Sequence, residues 1–159
     1  MTIDSRALRN TLGCFATGVT VVTALTVARD PVGITVNSFN SVSLDPPLIL
    51  FSVDRAGSSF ATFRDAAHYV VNVLGEGQRD LSQRFAKPVP DKWNGVPHAT
   101  WSSGAPVLEG CLANLECARE AVHEGGDHII LIGRVLKLTH AEGGRPLLYY
   151  RGAYRGLGD

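Results

Sequence analysis

Two long β-forming runs, Cys111 to His123 and His128 to Thr139, are separated only by Glu124-Gly125-Gly126-Asp127. A short joint rich in glycine closes a hairpin, so these runs commit the chain to an antiparallel sheet. The upstream sequence supplies further strands for it. Val19 to Val27 is a β-branched run that places Val19, Val21, Leu25 and Val27 on one face, and Ala28-Arg29-Asp30-Pro31 has turn composition before Val32 to Val36 pairs back. Strands over Leu48 to Val53, Tyr69 to Leu74 and Leu147 to Tyr150 complete the pattern. Helical signals are short: Arg6 to Leu12 behind a cap at Asp4 or Ser5, Gly57-Ser58-Ser59 opening a helix through Arg64, and Gln78 to Phe85. Six or more strands with hairpin links and so few helices predict a mainly β fold, an antiparallel barrel with short peripheral helices, rather than a β-α-β sheet.

With 159 residues, 45% of them apolar, the chain has the size and composition of a single globular domain covering residues 1–159. Fifteen basic residues balance fifteen acidic ones without a basic stripe, which argues against a nucleic-acid partner. The apolar runs are too short to span a bilayer, and Asp4 sits where a signal peptide would be positive, so a cytoplasmic location is expected. Cys14, Cys111 and Cys117 lack C-x-x-C spacing and read as reduced core residues. His123 and His128, taken as opposite across the hairpin, lack a third ligand at regular spacing, so no metal site is expected.

No G-x-G-x-x-G follows a strand to open a helix, and no P-loop is present, so any nucleotide must be held by other means. The segment Gly33 to Pro47 breaks the hydrophobic pattern: Thr35 and Asn37 share a strand face and Ser38 follows as the chain leaves the sheet. Small polar side chains there can meet the carbonyl oxygens and ring nitrogens of a flavin, but a polar edge strand running into a serine-rich turn explains them more simply. Arg55-Ala56-Gly57-Ser58-Ser59 before a helix can cradle a phosphate or merely cap the helix. His128 at a strand start reads as structural or substrate-contacting. In the tyrosine-rich C-terminal segment, Tyr149 reads as a packing residue and Tyr154 as either packing or ligand contact. Ala86 to Pro97 is a proline-containing loop able to fold over a ligand.

Together, Phe15-Ala16-Thr17-Gly18-Val19-Thr20-Val21-Val22-Thr23, Gly33 to Pro47, Val71-Asn72-Val73-Leu74, Phe85-Ala86, Gly126-Asp127-His128, Gly133-Arg134-Val135 and Leu148-Tyr149-Tyr150-Arg151-Gly152 resemble the short-chain flavin reductase family, the reductase components of two-component flavin-dependent monooxygenases. The resemblance implies a split β-barrel homodimer that binds FMN or FAD at the subunit interface. Hydride would come from NADH or NADPH, and reduced flavin would pass to a partner monooxygenase. It further implies that Thr35, Val36, Asn37 and Ser38 contact the isoalloxazine and ribityl chain, with Ser52, Val53 and Phe85 beside them. Ser58 and Ser59 would hold the phosphate, and His128 would lie beside the nicotinamide; Tyr154 is a further candidate substrate contact. No protein acid or base is required, because stacked rings suffice for hydride transfer. Gly57-Ser58-Ser59-Phe60 and Trp93 depart from the usual family pattern. Two other readings fit the same resemblance: a flavin-binding module without NADH chemistry, and a flavin-dependent reductase of ferric or cobalamin species.

Overall fold

The computed structural model describes residues 2–158. A helix α1 (Ser5–Leu12) opens the chain, capped by the Asp4 carboxylate accepting from the Ala7 amide at 2.7 Å. The strands are β1 (Thr17–Gly18), β2 (Thr20–Leu25), β3 (Pro31–Val36), β4 (Asn40–Leu44), β5 (Pro47–Asp54), β6 (His68–Val73), β7 (His98–Thr100), β8 (Pro106–Leu108), β9 (Ala113–Gly125), β10 (His128–His140), β11 (Leu148–Tyr150) and β12 (Ala153–Arg155). Helix α2 (Phe60–Asp65) follows β5, and α3 (Arg79–Phe85) follows β6 and one 3-10 turn. The molecule is thus mainly β. Seven strands form one antiparallel sheet in the order β3-β2-β6-β9-β10-β5-β4, with β1-β11-β12 and β7-β8 as smaller sheets.

Burial explains why the first β-branched run is shorter than its composition suggests. All of Thr20 to Ala24 is buried, on both faces of β2, because β2 is an interior strand; Val27 is fully exposed in the turn that follows. The face alternation expected through Val27 therefore ends at Leu25. Segment Asn40–Leu44, read from sequence as part of a serine-rich turn, is instead an edge strand paired with β5. Four of its five residues are exposed, Leu44 at 95%, and a bulge between Ser41 and Ser43 interrupts its pairing with β5.

The main core joins Val22 and Ala24 of β2 with Val36 of β3, Ile49, Phe51 and Val53 of β5, Phe63 of α2, Tyr69 and Val71 of β6, and Ile129 and Leu131 of β10. Strands from both flanks of the sheet thus share one interior. Phe51 meets the rings of Phe63 and Tyr69 edge-on, at centroid distances of 6.3 and 5.0 Å. Gly133 makes the Tyr69 position possible: a Cβ there would lie 2.5 Å from the phenolic oxygen.

A buried polar network fixes β8 to this sheet. Asn72 donates to the Val21 carbonyl at 2.9 Å and accepts from the Leu108 amide at 2.9 Å and the Asn114 side chain at 2.8 Å. Glu116, fully buried on β9, accepts from the Ser103 amide at 2.9 Å and the Ser102 and Ser103 hydroxyls at 2.8 and 2.6 Å. Burial pushes its carboxyl pKa up, yet these donors and the Lys137 charge more than reverse that, leaving it below the usual value.

Of the three cysteines, Cys117 is buried, Cys111 is half-buried outside β9, and Cys14 is exposed, contrary to the expected core placement of all three. Cys14 follows the last turn of α1, where its thiol is turned toward the Asn10 carbonyl rather than inward. The histidine pair across the hairpin also fails. His128 lies opposite Gly125 and His123 opposite Ile130, because only Gly126 and Asp127 occupy the turn.

Candidate functional site

An open cleft of about 600 Å³ lies where the ends of β3 and β5, the start of α2, the end of α3 and the β9–β10 hairpin converge. Its walls include Thr35, Val36, Asn37 and Ser38 from β3 and the following turn, Ser52 and Val53 from β5, Ser58 and Ser59 before α2, Phe85 from α3, and His128 from β10. Residues scattered over most of the sequence are therefore neighbours in one concavity. Tyr154 is the exception. It lines an adjoining cavity of about 220 Å³ with Val19, Thr35, Asn37, Ser82, Ala86 and Tyr149.

Hydrogen bonds fix the polar lip of the cleft. The Thr35 hydroxyl donates to the Ser82 carbonyl at 2.6 Å, which anchors β3 to α3 and directs the threonine donor away from any ligand. Ser38 Oγ accepts from the Ser52 amide at 2.9 Å, tying the turn after β3 to β5 and leaving the serine hydrogen for another acceptor. Asn37 is exposed at the same lip. Tyr154 reaches the cleft wall indirectly, through a 2.8 Å hydrogen bond between its hydroxyl and Ser82 Oγ, while Arg79 lies over its ring at 5.3 Å.

Phe85 supplies an apolar wall. Its ring is buried and meets Trp93 edge-on with centroids 4.9 Å apart, and Trp93 in turn meets His98 at 5.3 Å. Gly33 permits this approach, since a Cβ there would lie 2.8 Å from the Phe85 ring. The loop from Ala86 is thereby held against β3 through aromatic contacts.

At the serine end, helix α2 has only six residues and Ser59 makes no side-chain capping bond. Arg55, a candidate for the phosphate cradle on sequence, is turned elsewhere: its guanidinium pairs with Glu124 and donates to the Gly126 carbonyl at 3.2 Å. It braces the hairpin turn instead of lining the cleft. The cations that do line it are Lys87 and Lys92. Sequence reasoning missed both, because charges on a proline-rich loop look solvated. Lys92 is half-buried, makes no ion pair with any described residue, and has its pKa lowered by that burial.

His128 lies opposite Asp54 in the β10–β5 register, and its Nδ1 is 2.7 Å from the Asp127 carboxylate. The hydrogen bond and charge of the imidazole hold Asp127 below the usual carboxylate range. This bond fixes the ring and leaves Nε2 available at the cleft rim. Thiol chemistry is not available here: burial pushes Cys117 up to about 12 and Cys111 up to about 11, so neither is a thiolate at neutral pH. Among the described residues no group of three His, Cys, Asp or Glu side chains could hold a metal ion.

A cleft with one apolar ring wall, a few small polar groups at its lip and lysines at its outer end suits a planar heterocycle carrying a phosphate. The model of the flavin reductase like domain matches residues 12–158. The chain belongs to that family. A flavin reductase like domain of this kind is similar to the reductase subunit HsaB of a flavin-dependent monooxygenase from Rhodococcus jostii, at 42% identity over 98% of this chain and 79% of that protein. It is 45% identical to the FMN reductase (NADH) SmoA of Agrobacterium fabrum, over 95% of this chain and 85% of the relative. The NADH:FAD oxidoreductase SgcE6 of Streptomyces globisporus, solved with NAD and FAD fragments, superposes with a TM-score of 0.92 at 36% identity, covering 99% of this chain and 97% of that one.

Proposed function

We propose that this chain is an NADH-dependent flavin reductase that binds a flavin in the Thr35–His128 cleft and hands the reduced flavin to a separate monooxygenase. The convergence of ten separated residues on one cleft, Thr35 through Ser38, Ser52, Val53, Ser58, Ser59, Phe85 and His128, carries this reading. A flavin held there would supply the redox chemistry, accepting the hydride that NADH gives up on its oxidation to NAD+.

Each group of residues has a positioning task. Val36, Val53 and Phe85 exclude water from the ring faces and edges. The free hydrogen of Ser38 and the Asn37 amide meet the polar edge of the isoalloxazine, while Thr35 acts through its bond to Ser82 by fixing the strand. Ser58, Ser59, Lys87 and Lys92 receive the phosphate end; hydroxyls and ammonium groups serve there in place of Arg55. His128, braced by Asp127, orients the nicotinamide half of NADH from the rim, and Tyr154 supports the wall on the far side of Thr35.

Three broader features belong to the same reading. Phe15 is 79% exposed and Leu12 65%, and Leu136 and Leu138 on β10 are exposed as well, apolar surface that a second copy of the chain would cover, which supports a homodimer with the flavin near its interface. The shared core of β2, β3, β5 and β10 supports a split barrel acting as a single domain. Three free cysteines, none in a disulfide, support a reducing, cytoplasmic location.

Substituting His128→Ala tests the role at the rim. Loss of an orienting hydrogen bond is expected to raise the KM for NADH about tenfold while flavin affinity stays within about twofold. An unchanged KM, measured by steady-state kinetics, removes His128 from the nicotinamide site.

A further inference from the structure

A second cleft of about 790 Å³ begins where the first one ends. Both are lined by Ser58, Ser59, Pro88 and Lys92, so the two spaces meet along the serine and lysine end of the flavin cleft. Beyond that junction the second cleft is bounded by Pro31, Val32 and Gly33 on one side and by Val89 to Asn94 on the other. From the flavin reading above, on which this inference rests, the phosphate of FMN would stop at the junction. FAD does not stop there: it continues through a second phosphate into an adenosine.

We propose that the second cleft holds the adenosine half of FAD, making this chain an FAD-preferring reductase. Trp93 presents an indole to the cleft, and its place is fixed by edge contacts to Phe85 and His98 rather than left to a mobile loop. A purine can stack on such a ring, with Pro31, Pro88 and Pro90 supplying further apolar surface. Lys92 stands at the junction, half-buried and without an ion pair among the described residues, where the second phosphate must pass. Asn94 and Asp91 at the outer rim offer an acceptor and donors to the purine edge and ribose hydroxyls. Pro31, Val32 and Gly33 form the opposite wall.

The adenosine of NADH has the same chemistry, so the experiment separates the two sources. Dissociation constants for FAD and FMN are measured by fluorescence titration, and the KM for NADH is measured with FMN as acceptor. These are compared between the native protein, Trp93→Leu and Asn94→Trp; the last obstructs the cleft without removing a packed ring. FAD is expected to bind at least about tenfold more tightly than FMN to the native protein, a difference of about 1.4 kcal/mol. That ratio should collapse toward one in Asn94→Trp, and in Trp93→Leu if the variant keeps the native melting temperature. Equal affinities in the native protein, or a ratio that survives Asn94→Trp, overturn the inference. So does a KM for NADH that rises in Asn94→Trp while the FAD to FMN ratio stays fixed, since the cleft would then serve the dinucleotide donor. Failure of both flavins to bind the native protein contradicts the flavin reading itself.

Discussion

Gly33 and Ser38 show how much of the cleft depends on single atoms. A Cβ at Gly33 would meet the Phe85 ring at 2.8 Å, so Gly33→Ala must displace the wall that the ring forms. Overpacking of this kind costs about 1–3 kcal/mol. Gly33→Ala should therefore lower the melting temperature and weaken flavin binding together, which thermal denaturation and flavin titration would show; a variant with native flavin affinity would mean that Phe85 does not shape the site. Ser38 joins the turn after β3 to the Ser52 amide, and Asn37 is beside it. The Asn37→Ala, Ser38→Ala double variant should lose flavin affinity by about tenfold or more, at about 1 kcal/mol for each hydrogen bond removed. Such residues were only partly legible in the sequence. The small polar cluster of Thr35 to Ser38 stands out because it interrupts an apolar pattern, whereas Lys92 does not: a loop lysine looks the same whether it faces solvent or a ligand. Arg55 was misleading for a related reason, since its partners Glu124 and Gly126 lie far along the chain.

Among the elements, β9 and β10 carry the site's long-range order, because their hairpin brings His128 to the end of β5. The hairpin itself was readable from Gly125-Gly126 and the β-branched run after it, Ile129 to Val135. Its register was not: a turn of two residues instead of four shifts each cross-strand pair, which is why His123 and His128 part company. Strand β4 was hidden by its serines, and β12 by its shortness. Element β9 also anchors the segment Ser102–Ser103 through Glu116. Its folded pKa is depressed, so its stabilising contribution is present above the unfolded carboxylate value of about 4.3 and is lost as pH falls through the lower folded value. Glu116→Ala should cost about 2–4 kcal/mol at neutral pH in urea unfolding, by removing the charged acceptor of the Ser102 and Ser103 hydroxyls and the Ser103 amide. The gap between Glu116→Ala and the native protein should narrow below about pH 4. A pH-independent gap would show that packing, not charge, is what Glu116 contributes.

Taken whole, the molecule separates two jobs. The interior of the seven-stranded sheet supplies rigidity through Val22, Phe51, Tyr69 and Leu131, and the cleft sits at the margin of that rigid body. Mainly β architecture was legible from strand count and the scarcity of helices, but the sheet order was not, since β3-β2-β6-β9-β10-β5-β4 interleaves distant segments. The exposed apolar residues of α1 and the segment after it bear on assembly. Leu12→Glu, Phe15→Glu should convert a dimer into a monomer in sedimentation experiments; an unchanged mass would locate the contact elsewhere or show a native monomer. The central claim is that a flavin bound in this cleft accepts hydride from NADH. It is tested most directly by mixing the purified protein, loaded with flavin under argon, against NADH in a stopped-flow spectrophotometer. Rapid bleaching of the oxidised flavin absorbance, much slowed in the Asn37→Ala, Ser38→Ala variant, is the predicted result. Flavin that stays oxidised, or bleaches equally fast in both proteins, would contradict the account.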